Sequence, residues 1–213
     1  MNTPLRLWGI AFTAMLAAAF VAFTWIDRPL SVFAHDHATY RAIFDALQAA
    51  PDAFPAVSAA VLALCAINVL IGRRATRVEV VVLMASVSYV TARAVNTQLK
   101  LVFSRTWPET WFGNPSLIGD GSFGFNFFHG GDAYASFPSG HALAICAVVS
   151  VLWQCWPRLR PLFALAVAAV VCGLIGANYH FLSDIIVGGF LGCLGGWVTV
   201  RLWPKPIAGN SAA

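Results

Sequence analysis

His180 and Asp184, in ANYHFLSDIIVGG, stand four residues apart, close enough for the carboxylate to hold one nitrogen of the imidazole. Held that way, the ring keeps one tautomer and its other nitrogen is free as a nucleophile. A second histidine, His141, lies in FPSGHA at 137–142. Ser139 is a good helix N-cap there, and the free amides and dipole of a helix start bind anions. His141 falls in the first turn, beside any such anion, where it could pass a proton to a leaving oxygen. Read singly, each stretch also fits a capped helix with a histidine at a membrane interface. The third group is Arg93, Asn96 and Lys100, which share one helix face at i, i+3 and i+7. Lys100 also fits a lysine snorkelling to the interface. Arg93, about 10 Å deeper by helical rise, is expected in a structural ion pair. Cations, helix-start amides, a proton donor and an oriented nucleophile together suit a phosphate ester. No carboxylate cluster suggests a metal, and the HxH of His35 and His37 reads as a surface pair.

The elements that must position these groups are membrane helices. The chain has 213 residues, 59% hydrophobic and 10% charged, against about 25% charged in a soluble domain. A membrane span needs about 20 mostly apolar residues, and six stretches qualify: 8–26, 56–72, 80–103, 141–156, 162–179 and 185–203. The expected fold class is therefore an all-α polytopic helix bundle, one domain over 1–213. The first stretch is too long for the apolar core of a secretory signal and reads as an uncleaved anchor. The five cysteines lie in apolar runs without a CxxC pair, which argues against a disulfide framework or a zinc site. The net charge of +4 is scattered between hydrophobic segments, so no nucleic-acid partner is expected.

Loop charges set the expected orientation. Arg6, Arg73, Arg74, Arg77, Arg158, Arg160, Arg201 and Lys205 fall on one side, read as cytoplasmic with both termini. Asp27, Asp36, Asp45, Asp52, Glu109, Asp120, Asp132, Asp184 and all the histidines fall on the other. Two long loops lie on that outer side. RAIFDALQAA, within 27–55, has Ile43, Phe44 and Leu47 on one helical face and is expected to lie on the membrane surface. The loop 104–137 is rich in glycine and carries Trp107, Trp111, Phe112, Phe123, Phe125, Phe127, Phe128, Tyr134 and Phe137. Aromatic rings favour the headgroup zone, so this loop is expected to fold against the bilayer surface, over the histidines.

On these residues the chain resembles the type-2 phosphatidic acid phosphatase superfamily, the lipid phosphate phosphatases, which share a fold with vanadium haloperoxidases. The matching motifs are KLVFSRTWP at 100–108, PSGH at 138–141 and GLIGANYHFLSD at 173–184, within a core of about 79–200. The resemblance implies a bacterial-type inner-membrane enzyme with its site facing the periplasm, working without metal or other cofactor. It implies that His180 attacks phosphorus, Asp184 orients His180 and His141 protonates the leaving oxygen. Lys100, Arg105 and the Ser139–Gly140 amides would hold the phosphoryl oxygens.

Two positions depart from the family pattern. Trp107 stands where the first motif places Arg before Pro, and Gly173-Leu174 stand where the third begins Ser-Arg. His129, Asn178 and Arg93 are candidate substitutes for the two missing guanidiniums. The expected substrate is a phosphomonoester or diphosphate of a lipid. The alternatives are a phosphotransferase of the same family and a non-catalytic lipid-phosphate binder or transport component. The six spans argue against a soluble haloperoxidase.

Overall fold

The computed structural model describes residues 3–110 and 112–204. Trp111 and Lys205 lie outside them. Over that range the chain is an all-α membrane helix bundle: α1 Thr3–Val21, a π-helical turn Ala22–Ile26, α2 Asp27–Asp36, α3 Arg41–Gln48, α4 Phe54–Leu70, α5 Arg77–Phe103, the short α6 Leu117–Asp120, α7 Gly140–Cys155, α8 Arg160–Gly176 and α9 Leu182–Leu202. Five helical stretches are long and apolar enough to cross a bilayer: Leu5–Asp36, Arg41–Leu70, Arg77–Phe103, Pro157–Gly176 and Leu182–Leu202. α7, the fourth of the six expected spans, has 16 residues, or about 24 Å of rise.

α7 is wrapped by other helices. Ala142, Ile145, Cys146 and Val149 pack with Phe163, Val170 and Leu174 of α8 and Ile185 of α9. Its other faces meet Val81, Met84 and Ala85 of α5 through Val151, and Ala92 through Leu143 and Ala147. The outer helices instead present Leu7, Ile10, Leu64, Leu70 and Leu165 outward, as lipid-facing helices do.

The closest pairing is α7 with α9, and a glycine stripe allows it. Gly188, Gly192 and Gly196 recur every fourth residue, the small-xxx-small spacing that lets membrane helices approach. A Cβ on Gly192 would stand 2.3 Å from the Leu143 carbonyl oxygen, and one on Gly188 2.4 Å from that of Ser139. Neither backbone can move aside without shifting α7. Gly192→Val is therefore expected to destabilise the protein by about 1–3 kcal/mol. Thermal unfolding in detergent checks this; an unchanged midpoint would refute the close packing.

α3 has a protein contact as well as an exposed apolar side. It is seated on α8: Cβ atoms at Gly173 and Gly176 would meet the Phe44 carbonyl oxygen at 2.7 Å and the Phe44 ring at 2.4 Å. The apolar face anticipated for the bilayer is split, with Phe44 turned to α8 and Ile43 and Leu47 left exposed. This seat explains one departure from the family pattern, since a serine at 173 would collide with the α3 backbone.

Candidate active site

α5 delivers Lys100 and then stops abruptly. Thr76 and Glu79 form a capping box at its start. At its end Ser104 takes a left-handed conformation, φ 45°, which throws the chain into the loop 104–139. Lys100 Nζ donates to the Ala135 carbonyl and lies 5.6 Å from the centre of the Trp107 ring. The Trp107 indole N–H donates to Asp132 O at 3.0 Å. The same ring covers His180, with ring centres 5.4 Å apart. An aromatic face thus stands between Lys100 and His180.

His180 lies in the turn between α8 and α9 and is 5% exposed. Its Nδ1 faces Asp184 Oδ2 at 3.7 Å and Ser136 Oγ at 3.5 Å. Ser136 donates to the same Oδ2 at 2.7 Å. This arrangement favours a proton on Nδ1 and leaves Nε2 with a free lone pair. Burial pushes the His180 pKa down to about 4, against the opposing pull of Asp184, while Lys100 and His141 add to the lowering. The ring is consequently neutral near pH 7, the form a nucleophile needs.

Asp184 is saturated with donors. Oδ1 accepts from Arg105, and Oδ2 accepts from Ser136 and, at 3.1 Å, from the Phe181 N–H. Its main-chain carbonyl accepts from the Ser139 N–H at 3.1 Å. That last bond joins the start of α9 directly to the start of α7.

Arg105 corrects the sequence reading. It was expected to hold phosphoryl oxygens, but its side chain is 0% exposed and its guanidinium lies between two buried carboxylates, Asp184 and Asp27. NH2 donates to Asp27 Oδ2 at 2.8 Å and NH1 to Ser183 Oγ at 2.7 Å. Phe23, Phe123, Phe125 and Phe181 surround it, the nearest ring centre 4.2 Å away. The terminal donors are spent inside the protein, and Nε is buried without a hydrogen-bond partner.

The other expected phosphate ligands divide. Ser139 caps α7, its Oγ accepting from Ala142 N at 3.4 Å, but its own amide is taken by Asp184 O. Gly140, the first residue of α7, remains among the residues whose N–H groups have no partner within the helix. A Cβ there would stand 2.3 Å from Arg93 NH1, so the missing side chain makes room for a guanidinium. Arg93 has no carboxylate partner among the described residues; it donates to Asn96 Oδ1 at 3.5 Å. The structural ion pair expected for it is thereby replaced by a place beside His141, with which it lines a cavity of about 120 Å³. Asn178 is a clamp: its amide donates to Ser31 O at 3.1 Å and Glu109 Oε2 at 3.0 Å. His129 is exposed and its ring lies tilted against Tyr134, with 4.1 Å between ring centres. Leu174 is fully buried in the apolar core, so nothing polar replaces the arginine expected at that point.

Four participants were not singled out from the sequence. Asp52, between α3 and α4, accepts from His141 Nε2–H at 2.9 Å. Ser136 contacts both His180 and Asp184. Asp27 pairs with Arg105. Arg41 of α3 donates to the Ala177 carbonyl at 2.5 Å, three residues before His180. The two acids were visible only as outer-side charges, and the Arg41 contact depends on the seat of α3. Of the aromatic loop, Trp107 covers His180, and the phenylalanines form a split layer: Phe123, Phe125 and Phe137 turn inward, whereas Phe112, Phe127 and Phe128 are exposed.

The arrangement can present a neutral imidazole nitrogen to an electrophile, place Lys100 and a helix start near the charge that develops, and offer a second imidazole for proton transfer. The model of the PAP2 superfamily matches residues 78–208. No curated protein and no solved structure matches the chain.

Proposed function

Because the chain belongs to the PAP2 superfamily, a phosphatase family, and is built of membrane helices, we propose that it is a lipid phosphatase that works through a phosphohistidine. The observation that carries this reading is the buried, neutral His180, with Nδ1 turned to Asp184 and Ser136 and Nε2 left free. In the first step the Nε2 lone pair forms a bond to phosphorus and the bond from phosphorus to the lipid oxygen breaks. The leaving oxygen keeps the electron pair and takes a proton from His141. Since Asp52 holds Nε2–H of His141, the proton leaves from Nδ1 of the protonated ring. In the second step water attacks phosphorus, its proton returns to His141, and the N–P bond opens to restore neutral His180. Lys100 is the cation for the phosphoryl oxygens, with Gly140 N–H and Arg93 beside it in place of Arg105.

The substrate class is a lipid phosphomonoester or diphosphate. The loop arginines Arg6, Arg73, Arg74, Arg77, Arg158, Arg160 and Arg201, at the end opposite the histidines, support a site facing the periplasm of a bacterial inner membrane. Purified protein should release phosphate from at least one of undecaprenyl diphosphate, phosphatidate, phosphatidylglycerophosphate and lipid A phosphates. Release should continue in EDTA and stop with vanadate, which mimics the five-coordinate phosphoryl state. No release from any of these lipids by folded protein would sink the reading.

One observation favours a second reading, a phosphotransferase. His180 is nearly closed to solvent beneath Trp107, and a phosphohistidine shielded from water survives long enough to meet another lipid. Transfer of labelled phosphate to an added lipid acceptor, in place of release, identifies that activity.

A further inference from the structure

We propose that Asp27, which lies outside the family-matched residues, is a positioning residue for His180: through Arg105 and Ser183 it holds Asp184 in the orientation that keeps the nucleophilic nitrogen free. This inference rests on the phosphatase reading for its kinetic consequence, but not for its structural one.

Asp27 is 1% exposed, and its carboxylate is held by Arg105 and Ser183. Oδ2 accepts from Arg105 NH2 at 2.8 Å and from Ser183 Oγ at 2.5 Å, and Oδ1 accepts from Ser183 N–H at 3.0 Å. Arg105 NH1 meets Ser183 Oγ and Asp184 Oδ1. A fork of guanidinium donors therefore spans two carboxylates, and only the Asp184 end faces the histidine. Buried ionic groups of this kind are often no better for stability than an apolar replacement. Geometry is what this one supplies. Without Asp27, Arg105 has a single carboxylate left and is free to settle on Asp184 alone. That draws Asp184 away from Ser136 and His180.

The local helix is shaped for this contact. Asp27 N–H bonds to Ala22 O, five residues back, closing the π-helical turn Ala22–Ile26. The extra residue rotates everything after it by about 100° relative to a regular helix. Phe23, in the same turn, lies 5.1 Å from the Arg105 guanidinium. One turn thus aims both a carboxylate and a ring at the same cation. Inserted turns of this type concentrate at functional sites.

The test uses the full chain in detergent, as wild type, Asp27→Asn and Asp27→Glu. Phosphate release gives kcat and KM, and 15N imidazole spectra across pH follow His180, assigned by difference from His180→Gln. The charges facing His180 are Asp184 from α9, Lys100 from α5 and His141 from α7, all retained in these variants. Asp27→Asn should lower kcat by about tenfold or more, as loss of an outer partner of a site residue does. KM should stay within about twofold, since no substrate contact is removed. The His180 spectrum should lose its Nδ1–H tautomer preference and titrate at a shifted pH, and Asp27→Glu should recover part of both. A folded Asp27→Asn protein with a wild-type His180 spectrum overturns the proposal, whether or not kcat falls. If Asp27→Asn does not fold, Ser183→Ala carries the same spectral test in the same direction, and an unchanged spectrum again overturns it. If wild type releases no phosphate from any lipid, the phosphatase reading fails while the spectra still decide the role of Asp27.

Discussion

His180→Ala should lose phosphate release by at least about 10⁴-fold, the scale on which removal of a nucleophile disables an enzyme. The variant should stay folded, because Asp184 keeps Arg105, Ser136 and the Phe181 amide after the ring is gone. A matching thermal midpoint in detergent would separate lost chemistry from lost structure. Brief incubation with a labelled lipid phosphate adds a direct readout: wild type should carry an acid-labile, base-stable label, and the variant none. Substantial release by His180→Ala would remove the phosphohistidine from the mechanism.

Arg105→Met should have the largest effect on stability of any single substitution at the site. Methionine fills much of the volume among the phenylalanine rings, but it leaves Asp27 and Asp184 facing each other with no cation between them. Both side chains are 0% exposed. Removing one partner of a buried ionic group costs about 3–5 kcal/mol. For a chain of this size that corresponds to a fall of roughly 6–20 °C in the unfolding midpoint. Adding Asp27→Asn to Arg105→Met should recover part of the loss, because one stranded charge is neutralised, and the double-mutant cycle measures that coupling. A wild-type midpoint for Arg105→Met would contradict the buried bridge. Arg105→Lys should fall between, since an ammonium keeps the charge but has no planar fork to reach Asp27, Ser183 and Asp184 together.

The helical bundle was legible because membrane spans announce themselves by length and apolarity alone. The reading of His180, Asp184 and Ser139 rested on local grammar, a four-residue spacing and an N-cap, and local grammar survives folding. Arg105 shows where such reading stops. A guanidinium aimed at a bound phosphate and one locked between two carboxylates look identical in KLVFSRTWP. The deciding partner, Asp27, is 78 residues away. Asp52 and His141 pose the same problem across 89 residues. Leu174 and Trp107 looked like losses from a phosphate cradle. In the fold, Leu174 is part of the apolar core and Trp107 covers His180. Neither reassignment follows from residue type, because each depends on which neighbour the tertiary structure supplies.

The glycine stripe on α9 governs how the protein meets membranes of different thickness. Ser139 begins the helix that bears His141, and its amide is bonded to the carbonyl of Asp184, the carboxylate behind His180. Gly188, Gly192 and Gly196 then lock the same two helices at backbone distance along their length. A bilayer thinner than the apolar spans is met by tilting, and α7 and α9 must tilt together as one beam. Hydrophobic mismatch therefore changes how deep the two histidines sit, while the gap between them is insulated from it. Turnover in vesicles of graded acyl-chain length should track access of the lipid headgroup to that depth, with the pH dependence set at the histidines held constant.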